Sequence, residues 1–331
     1  MRNHFAALLL GFLLDLLLGD PHWAPHPVRA IGALIAGLEK PLRAAFPKTP
    51  GGERIAGAVL VVLAAGITGG AAWGLLVLAG RVSPWLAFAL ETVFCYQCLA
   101  ARALRDESMK VYRALTGGTL DEARYAVSMI VGRDVDRLDR TGVAKAAVET
   151  VAENASDGVI APLLFLALGG GVLGMVYKAV NTMDSMVGYR NERYRFYGTC
   201  AARLDDALNF IPARLSGVLL CLAAPLVGLN GRNAWRIFRR DRLNHKSPNS
   251  AHTEAAAAGA LGVELAGNGF YFGKLVEKPV IGDPLRPVEP EDIVRVNRLM
   301  YAGAALAAVL FCAAPLALVW ALAPSRGLFF T

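Results

Sequence analysis

Charge is what this chain has least of. Asp, Glu, Lys and Arg make up 18% of its 331 residues, and mean hydropathy is +0.42. A soluble domain of this size carries about a quarter charged residues, so an ordinary water-soluble fold is excluded. Cysteine is scarce too. The five cysteines (95, 98, 200, 221, 312) form no framework, which excludes a disulfide-stapled fold. Cys95 and Cys98 make a lone C-x-x-C in an apolar run without a neighbouring His, a pattern that reads as packing. Period-two alternation, internal repeats and low-complexity linkers are nearly absent, so the bulk of the chain is helical.

Nucleotide fingerprints are missing as well. Gly273-Lys274 lacks the leading glycine of a P-loop, because position 268 is Asn, and no Ser or Thr follows it. Gly169-x-Gly171-x-x-Gly174 lies in an apolar stretch with no preceding strand or ribose-binding acid. The basic run RNAWRIFRRDR (232–242) has no recognition motif beside it. Next to membrane spans its simpler partner is an anionic lipid surface, and no nucleic-acid partner is expected.

What the chain does have is clustered apolar sequence. Ile55–Gly80 and Leu299–Ala323 run 26 and 25 residues without a charge. Both exceed the roughly 20 needed to cross a bilayer core. Shorter or interrupted stretches lie at 5–18, 84–101, 158–180 and 211–229. Residues 5–18 contain Asp15 and no small-x-small cleavage site follows, so they read as a retained anchor or buried helix. Glu91 within 84–101 faces protein or water rather than lipid. The fold class expected is all-α: a polytopic helical membrane protein, one domain over 1–331, with four to six apolar segments crossing or re-entering the bilayer.

Two features favour re-entry for 158–180 and 211–229. Gly169-Gly170-Gly171 disfavours a continuous helix, and Pro162, Pro212 and Pro225 interrupt the flanks. Non-helical backbone at that depth is tolerated where it is buried in protein. If neither stretch crosses, four spans remain, and the polar segments 102–157, 181–210 and 230–298 share one catalytic face. Segments 102–157 and 230–298 carry nine and eleven Lys/Arg, which by the positive-inside rule puts that face in the cytoplasm.

The polar segments hold the chemistry. In AKAAVETVAENASD (144–157), Glu149 and Glu153 share one helix face and Asp157 continues it. Like charges at this spacing repel, and Mg²⁺, which takes oxygen ligands, would relieve them. A solvated acidic face is the bland alternative. In 177–198, Lys178, Asn181, Asp184 and Ser185 follow helical spacing, and Arg190 and Arg193 alternate with tyrosines. Arginine forks suit phosphate, while Tyr and Arg also gather in membrane-interface belts. Arg203, Asp205, Asp206 and Asn209 supply a further set, equally readable as a helix-surface salt bridge. GDPHWAPHPVRAIG (19–32) brings Asp20, His22 and His26, too few for a zinc site. Residues 254–261 read as a helix capped by Thr253, followed by a glycine-aromatic loop.

These segments resemble the CobD/CbiB family, the adenosylcobinamide-phosphate synthases of cobalamin biosynthesis. The resemblance rests on LLLGDPHWAPHPVRAIG (16–32), AVSMIVGRDVDRLD (126–139), AVETVAENASDGVIAPL (147–163) and YKAVNTMDSMVGYRNERYRFYG (177–198). ARLDDALNFIPARL (202–215), NHKSPNS (244–250) and AGALGV (258–263) extend it. The family continues its SPN motif with small, aromatic and proline residues before a Glu; this chain reads SPNSAHTEA.

The resemblance implies a multi-pass enzyme of the bacterial inner membrane with a cytoplasmic site. It would use ATP and Mg²⁺ to join adenosylcobyric acid, a corrinoid, to (R)-1-aminopropan-2-ol or its O-phosphate through an amide. Glu149, Glu153, Asp157 and Asp184 would hold Mg²⁺ and, with Lys178, serve catalysis. Lys178, Arg190 and Arg193 would bind phosphate, and Asn154 and Asn181 would orient substrate. Ser185, Arg203, Asp205, Asp206 and His26 complete the expected binding set. Expected partners are the corrinoid and amino-alcohol phosphate, the lipid bilayer, and other cobalamin-assembly membrane enzymes or a second copy of the chain. The rival readings are a transporter or cobamide-binding scaffold, suggested by Asp15 and Glu91 in apolar segments, and another Mg²⁺-dependent membrane transferase.

Overall fold

The computed structural model describes residues 2–321 except 22, 24, 25, 190 and 272. Helix α1 (Arg2–Leu18) is followed by α2 (Pro27–Ala45), whose N-cap His26 accepts the Val28 N–H at 3.3 Å. Helix α3 (Pro50–Val82) starts on a Thr49 cap, with Pro50 at its first position where a missing N–H costs nothing. At about 1.5 Å per residue its 33 residues are long enough to cross a bilayer. Ser83 and Pro84 stop it and cap α4 (Pro84–Cys98). Helices α1 and α4 run parallel: His4 meets Glu91, Gly11 meets Cys95, and Asp15 accepts the Ala101 N–H at 3.1 Å.

Beyond α4 come α5 (Ala101–Gly117), α6 (Leu120–Ser128) with a Thr119–Glu122 capping box, and α7 (Arg140–Asn154). A π-helical turn, Ala155–Ile160, leads into α8 (Ala161–Val187). Then follow α9 (Thr199–Leu208), α10 (Phe210–Ala223), α11 (Gly231–Asp241) and α12 (Ser250–Leu261). Among the described residues, four three-residue strands make two antiparallel pairs: β1 (Glu264–Ala266), β2 (Gly269–Tyr271), β3 (Lys274–Val276) and β4 (Val280–Gly282). β1 pairs with β4 and β2 with β3. Helix α13 (Glu291–Ala308), a π turn at Val309–Ala313 and α14 (Ala314–Ala321) close the described chain.

Among the described residues, five stretches are long and apolar enough to cross a membrane: Pro50–Val82, Pro84–Gly117, Arg140–Val187, Phe210–Val227 and Glu291–Ala317. Asn3–Leu18 is apolar but shorter. This is the polytopic helical membrane architecture expected, but length does not decide course. Inside α8 the backbone leaves the helix at Gly169 (φ −145°, ψ 20°) and Gly170 (φ 68°, ψ −164°). The chain then doubles back. Phe165 and Tyr177 stack with ring centroids 4.7 Å apart, and Leu166 lies against Gly174. In a continuous helix the 12 residues from Phe165 to Tyr177 would span about 18 Å. The Tyr177 hydroxyl donates to the Asp157 carbonyl at 3.1 Å, so both ends of the hairpin are on one side.

The hairpin tip is tied down. Glu91 accepts the Gly171 N–H at 2.8 Å, and His4 contacts both Glu91 (3.3 Å) and the Ala167 carbonyl (3.1 Å). An N–H freed by the break is thereby satisfied by a half-buried acid. The second interrupted stretch also returns. Asn209 before α10 accepts from Tyr177 at 2.8 Å, and after α11 Ser247 and Asn249 bond to Asp206. Polar segments 102–157, 181–210 and 230–298 therefore meet on one side of the protein.

Three local expectations are corrected. Helix α12 begins at Ser250, so Thr253 is not its N-cap but sits inside the first turn and donates to the Ser250 carbonyl at 3.4 Å. The glycine-aromatic loop after it is organised as the two strand pairs. The final apolar helix begins at Glu291, eight residues ahead of Leu299, and residues 322 and 323 lie outside the described chain.

Candidate active site

The acids of α7 and α8 meet because the hairpin brings the end of α8 back to its own beginning. A cavity of about 430 Å³ opens there. Its walls hold Glu149, Glu153, Asn154 and Asp157 from α7 and the π turn, and Asn181, Asp184 and Ser185 from the returning arm of α8. Seven of the residues expected at the site thus line one space. The π turn widens the backbone between Asn154 and Ile160, which re-aims Asp157 relative to a regular helix.

The sequence did not single out the other wall. Gly132 and Arg133 come from the loop before α7, His245 and Glu254 from the start of α12 and the loop ahead of it, and Gly267 and Lys278 from the strand region. AVSMIVGRDVDRLD and NHKSPNS carried some signal, but for a resemblance rather than for a role. Arg133 pairs with Glu149, whose other oxygen accepts the Ala266 N–H at 2.7 Å. Glu153 accepts from Ser250 at 2.8 Å. Ser185 returns its hydroxyl to the Asn181 carbonyl at 3.0 Å.

Other expected residues lie elsewhere. Asp205 is buried behind the wall, accepting from Asn181 at 3.4 Å and from Asn209 at 3.0 Å. Asp206 accepts from Ser247 at 3.4 Å. Lys178 sits toward Asp15 and Cys98 rather than in the cavity, and Arg203 is exposed outside it. Arg193 belongs to a different cluster, with both Arg193 and Arg43 on Glu39 at 3.0 Å. Those pairs fasten the loop after α8 to α2. His26 caps α2 and stands 3.5 Å from Asp20. Arg190 and His22 lie outside the described residues.

Burial and like charge load this site. Burial, with Asp206 and Glu153 nearby, pushes the Asp205 carboxyl up to about 6 against the hydrogen bonds from Asn209 and Asn181. Burial, then Glu153 and Glu149, pushes Glu254 well above the carboxylate range, with Lys278 and Arg133 opposing. Burial holds the His245 imidazole below its ordinary value. Raised carboxyls keep protons in the fold that the unfolded chain gives up near its ordinary value of about 4. At these carboxyls the folded state therefore binds more protons between about pH 4 and the Asp205 value of about 6, and their contribution to stability falls as pH rises through that window, with the depressed His245 acting in the opposite sense. Thermal unfolding in detergent without divalent cations is expected to show a higher Tm at pH 5 than at pH 7. Equal or reversed values would contradict this account.

No group of three or more His, Cys, Asp or Glu among the described residues is spaced as a ready-made metal site. The donors facing the cavity are nevertheless oxygens. Mg²⁺ commonly takes one or two carboxylates and completes its shell with water and substrate phosphates rather than a protein cage. Asp157 and Asp184 line the same cavity and fit that mode. Glu149 and Glu153 already have other partners and fit it less well.

Fold and cavity define a polytopic helical membrane protein with a charge-lined polar site at the mouth of a folded-back helix. Residues 8–300 match the model of the CobD/Cbib protein family, and the chain belongs to that family. It is 55% identical over 310 residues to cobalamin biosynthesis protein CobD of Geobacter metallireducens, covering 94% of this chain and 96% of that one. It is 49% identical over 309 residues to cobalamin biosynthesis protein CbiB of Salmonella typhi (93% and 96%). Its identity to CobD of Clostridium perfringens is 44% over 309 residues (92% and 97%). No solved structure matches.

Proposed function

We propose that the chain forms an amide bond between adenosylcobyric acid and (R)-1-aminopropan-2-ol or its O-phosphate, using ATP and Mg²⁺ at a cytoplasmic face. The observation that carries this reading is the cavity itself, where acids, two cationic side chains and asparagines from three polar segments converge. A carboxylate does not react with an amine until its oxygen becomes a leaving group, and phosphorylation by ATP would supply that. Mg²⁺, when bound by Asp157 and Asp184, supplies charge neutralisation for the phosphates.

Arg133 and Lys278 stand where phosphate oxygens can be held. Their positive charge favours the phosphoryl group as negative charge builds on its oxygens. Asn154 and Asn181 offer amides for orienting a substrate arm. At about 430 Å³ the cavity has room for the reacting side chain, the amine and phosphates. The macrocycle would rest outside its mouth.

The test is the purified full-length protein in detergent with adenosylcobyric acid, aminopropanol phosphate, ATP and Mg²⁺. The expected result is an amide product formed one-for-one with ATP consumed. No product and no ATP consumption by folded protein would overturn the proposal. Substrate binding without turnover would point to a scaffold instead.

A further inference from the structure

Glu254 stands just past the first turn of α12 at 5% exposure and lines the cavity. Among the described residues its carboxylate has no hydrogen bond and no ion pair. A carboxylate buried in that state is costly unless a ligand engages it. The contrast with its neighbours is sharp: Glu149 is held by Arg133 and the Ala266 N–H, and Glu153 by Ser250. His245 uses Nδ1 to accept the Ser247 N–H at 3.0 Å, which commits its ring to the turn before α12.

The reaction leaves one task unassigned. An alkylamine is protonated at neutral pH, as lysine is, and its nitrogen has no lone pair to attack with until a proton is removed. We propose that Glu254 is the catalytic base that takes this proton, an assignment that rests on the amide-forming reading above. The groups facing it are Glu149 and Glu153 on α7, Lys278 in the strand region, Arg133 before α7, and His245. Burial, and after it the two glutamates, makes its carboxylate a stronger proton acceptor than an exposed one. Arg133 and Lys278 keep the ionised form accessible.

The step balances. Glu254 carboxylate takes one proton from R–NH₃⁺, and the freed lone pair bonds to the carbonyl carbon of the acyl phosphate. The C–O bond to phosphate then breaks with its electron pair on the phosphate oxygen. The second N–H proton leaves with that phosphate as HPO₄²⁻, giving the neutral amide and protonated Glu254.

Hydroxylamine separates base catalysis from everything before it, because it is largely unprotonated at neutral pH and traps acyl phosphates as hydroxamates. Glu254→Gln is expected to lose about 100-fold or more in amide formation with aminopropanol phosphate. Its hydroxamate formation from adenosylcobyric acid, ATP, Mg²⁺ and hydroxylamine should stay within about 3-fold of wild type, with the amide defect shrinking as pH rises. Glu254→Asp, which keeps a carboxyl, should recover part of the amide rate and carries the test if the Gln variant does not fold. Equal loss of both products in a folded variant, or no loss of either, overturns the assignment. Wild-type protein that makes neither product overturns the amide-forming reading instead.

Discussion

Asp157→Asn is expected to lower turnover by at least about 1,000-fold, equivalent to about 4 kcal/mol of transition-state stabilisation, while leaving Tm unchanged or higher. The two outcomes have one cause. The charges nearest this side chain are Asp205, Glu153 and Asp184, all negative. Among these neighbours its charge is repelled, so an amide of the same shape relieves the fold. With Mg²⁺ and phosphates present, that same charge would be the attractive partner. The link between the Asp157 carbonyl and Tyr177 uses backbone and survives the change.

Scanning calorimetry and ATP turnover on the same preparation test both halves. Wild-type protein should gain Tm on adding Mg²⁺ with nucleotide, because a ligand bound by the folded state alone stabilises it by mass action. Asp157→Asn should lose most of that gain. Turnover within 10-fold of wild type would remove Asp157 from the metal set.

Gly170→Ala is expected to cost about 3 kcal/mol or more and to abolish activity with it. Gly170 has φ 68° and ψ −164°, a region essentially restricted to glycine, where another residue costs about 1–3 kcal/mol. A Cβ there would also stand 2.6 Å from Glu91 Oε1 and 3.3 Å from His4 Cε1. Glu91 cannot simply retreat, since it holds the Gly171 N–H. Overpacking of this kind adds about 1–3 kcal/mol. Gly66→Ala is the control: Gly66 is exposed on α3 and a Cβ added there would meet open space, so Tm should hold or rise. Detergent melts of the two variants decide it. Equal Tm values would mean that the reversal at Gly169–Gly170 is not what sets the position of the arms.

Much of the candidate site was legible in advance. Glu149, Glu153, Asn154, Asp157, Asn181, Asp184 and Ser185 all line the cavity, because each lies on a helix whose spacing fixes which side chains share a face. The three consecutive glycines likewise announced a break. Arg193 misled for a plain reason. Phosphate binding and a structural salt bridge ask for the same guanidinium, and Glu39, 154 residues away in sequence, supplies the second use. His26 is similar: next to Pro27 it serves as a cap. Lys278 and Glu254 were missed because they reach the cavity from segments far from α7 and α8, and Arg133 because it lies in the loop before α7, where no helical spacing ties it to Glu149.

The sequence by itself determined that this is a helical membrane protein and which residues share each helix face, since hydropathy and helical period are properties of a chain read in one dimension. Only the tertiary structure decided the direction of the apolar stretches and the company of the charges. Two glycine torsions, pinned by Glu91 and His4, turn a stretch long enough to cross into one that returns. That return brings Asp184 back to Asp157 and lets α12 close the far wall with Glu254.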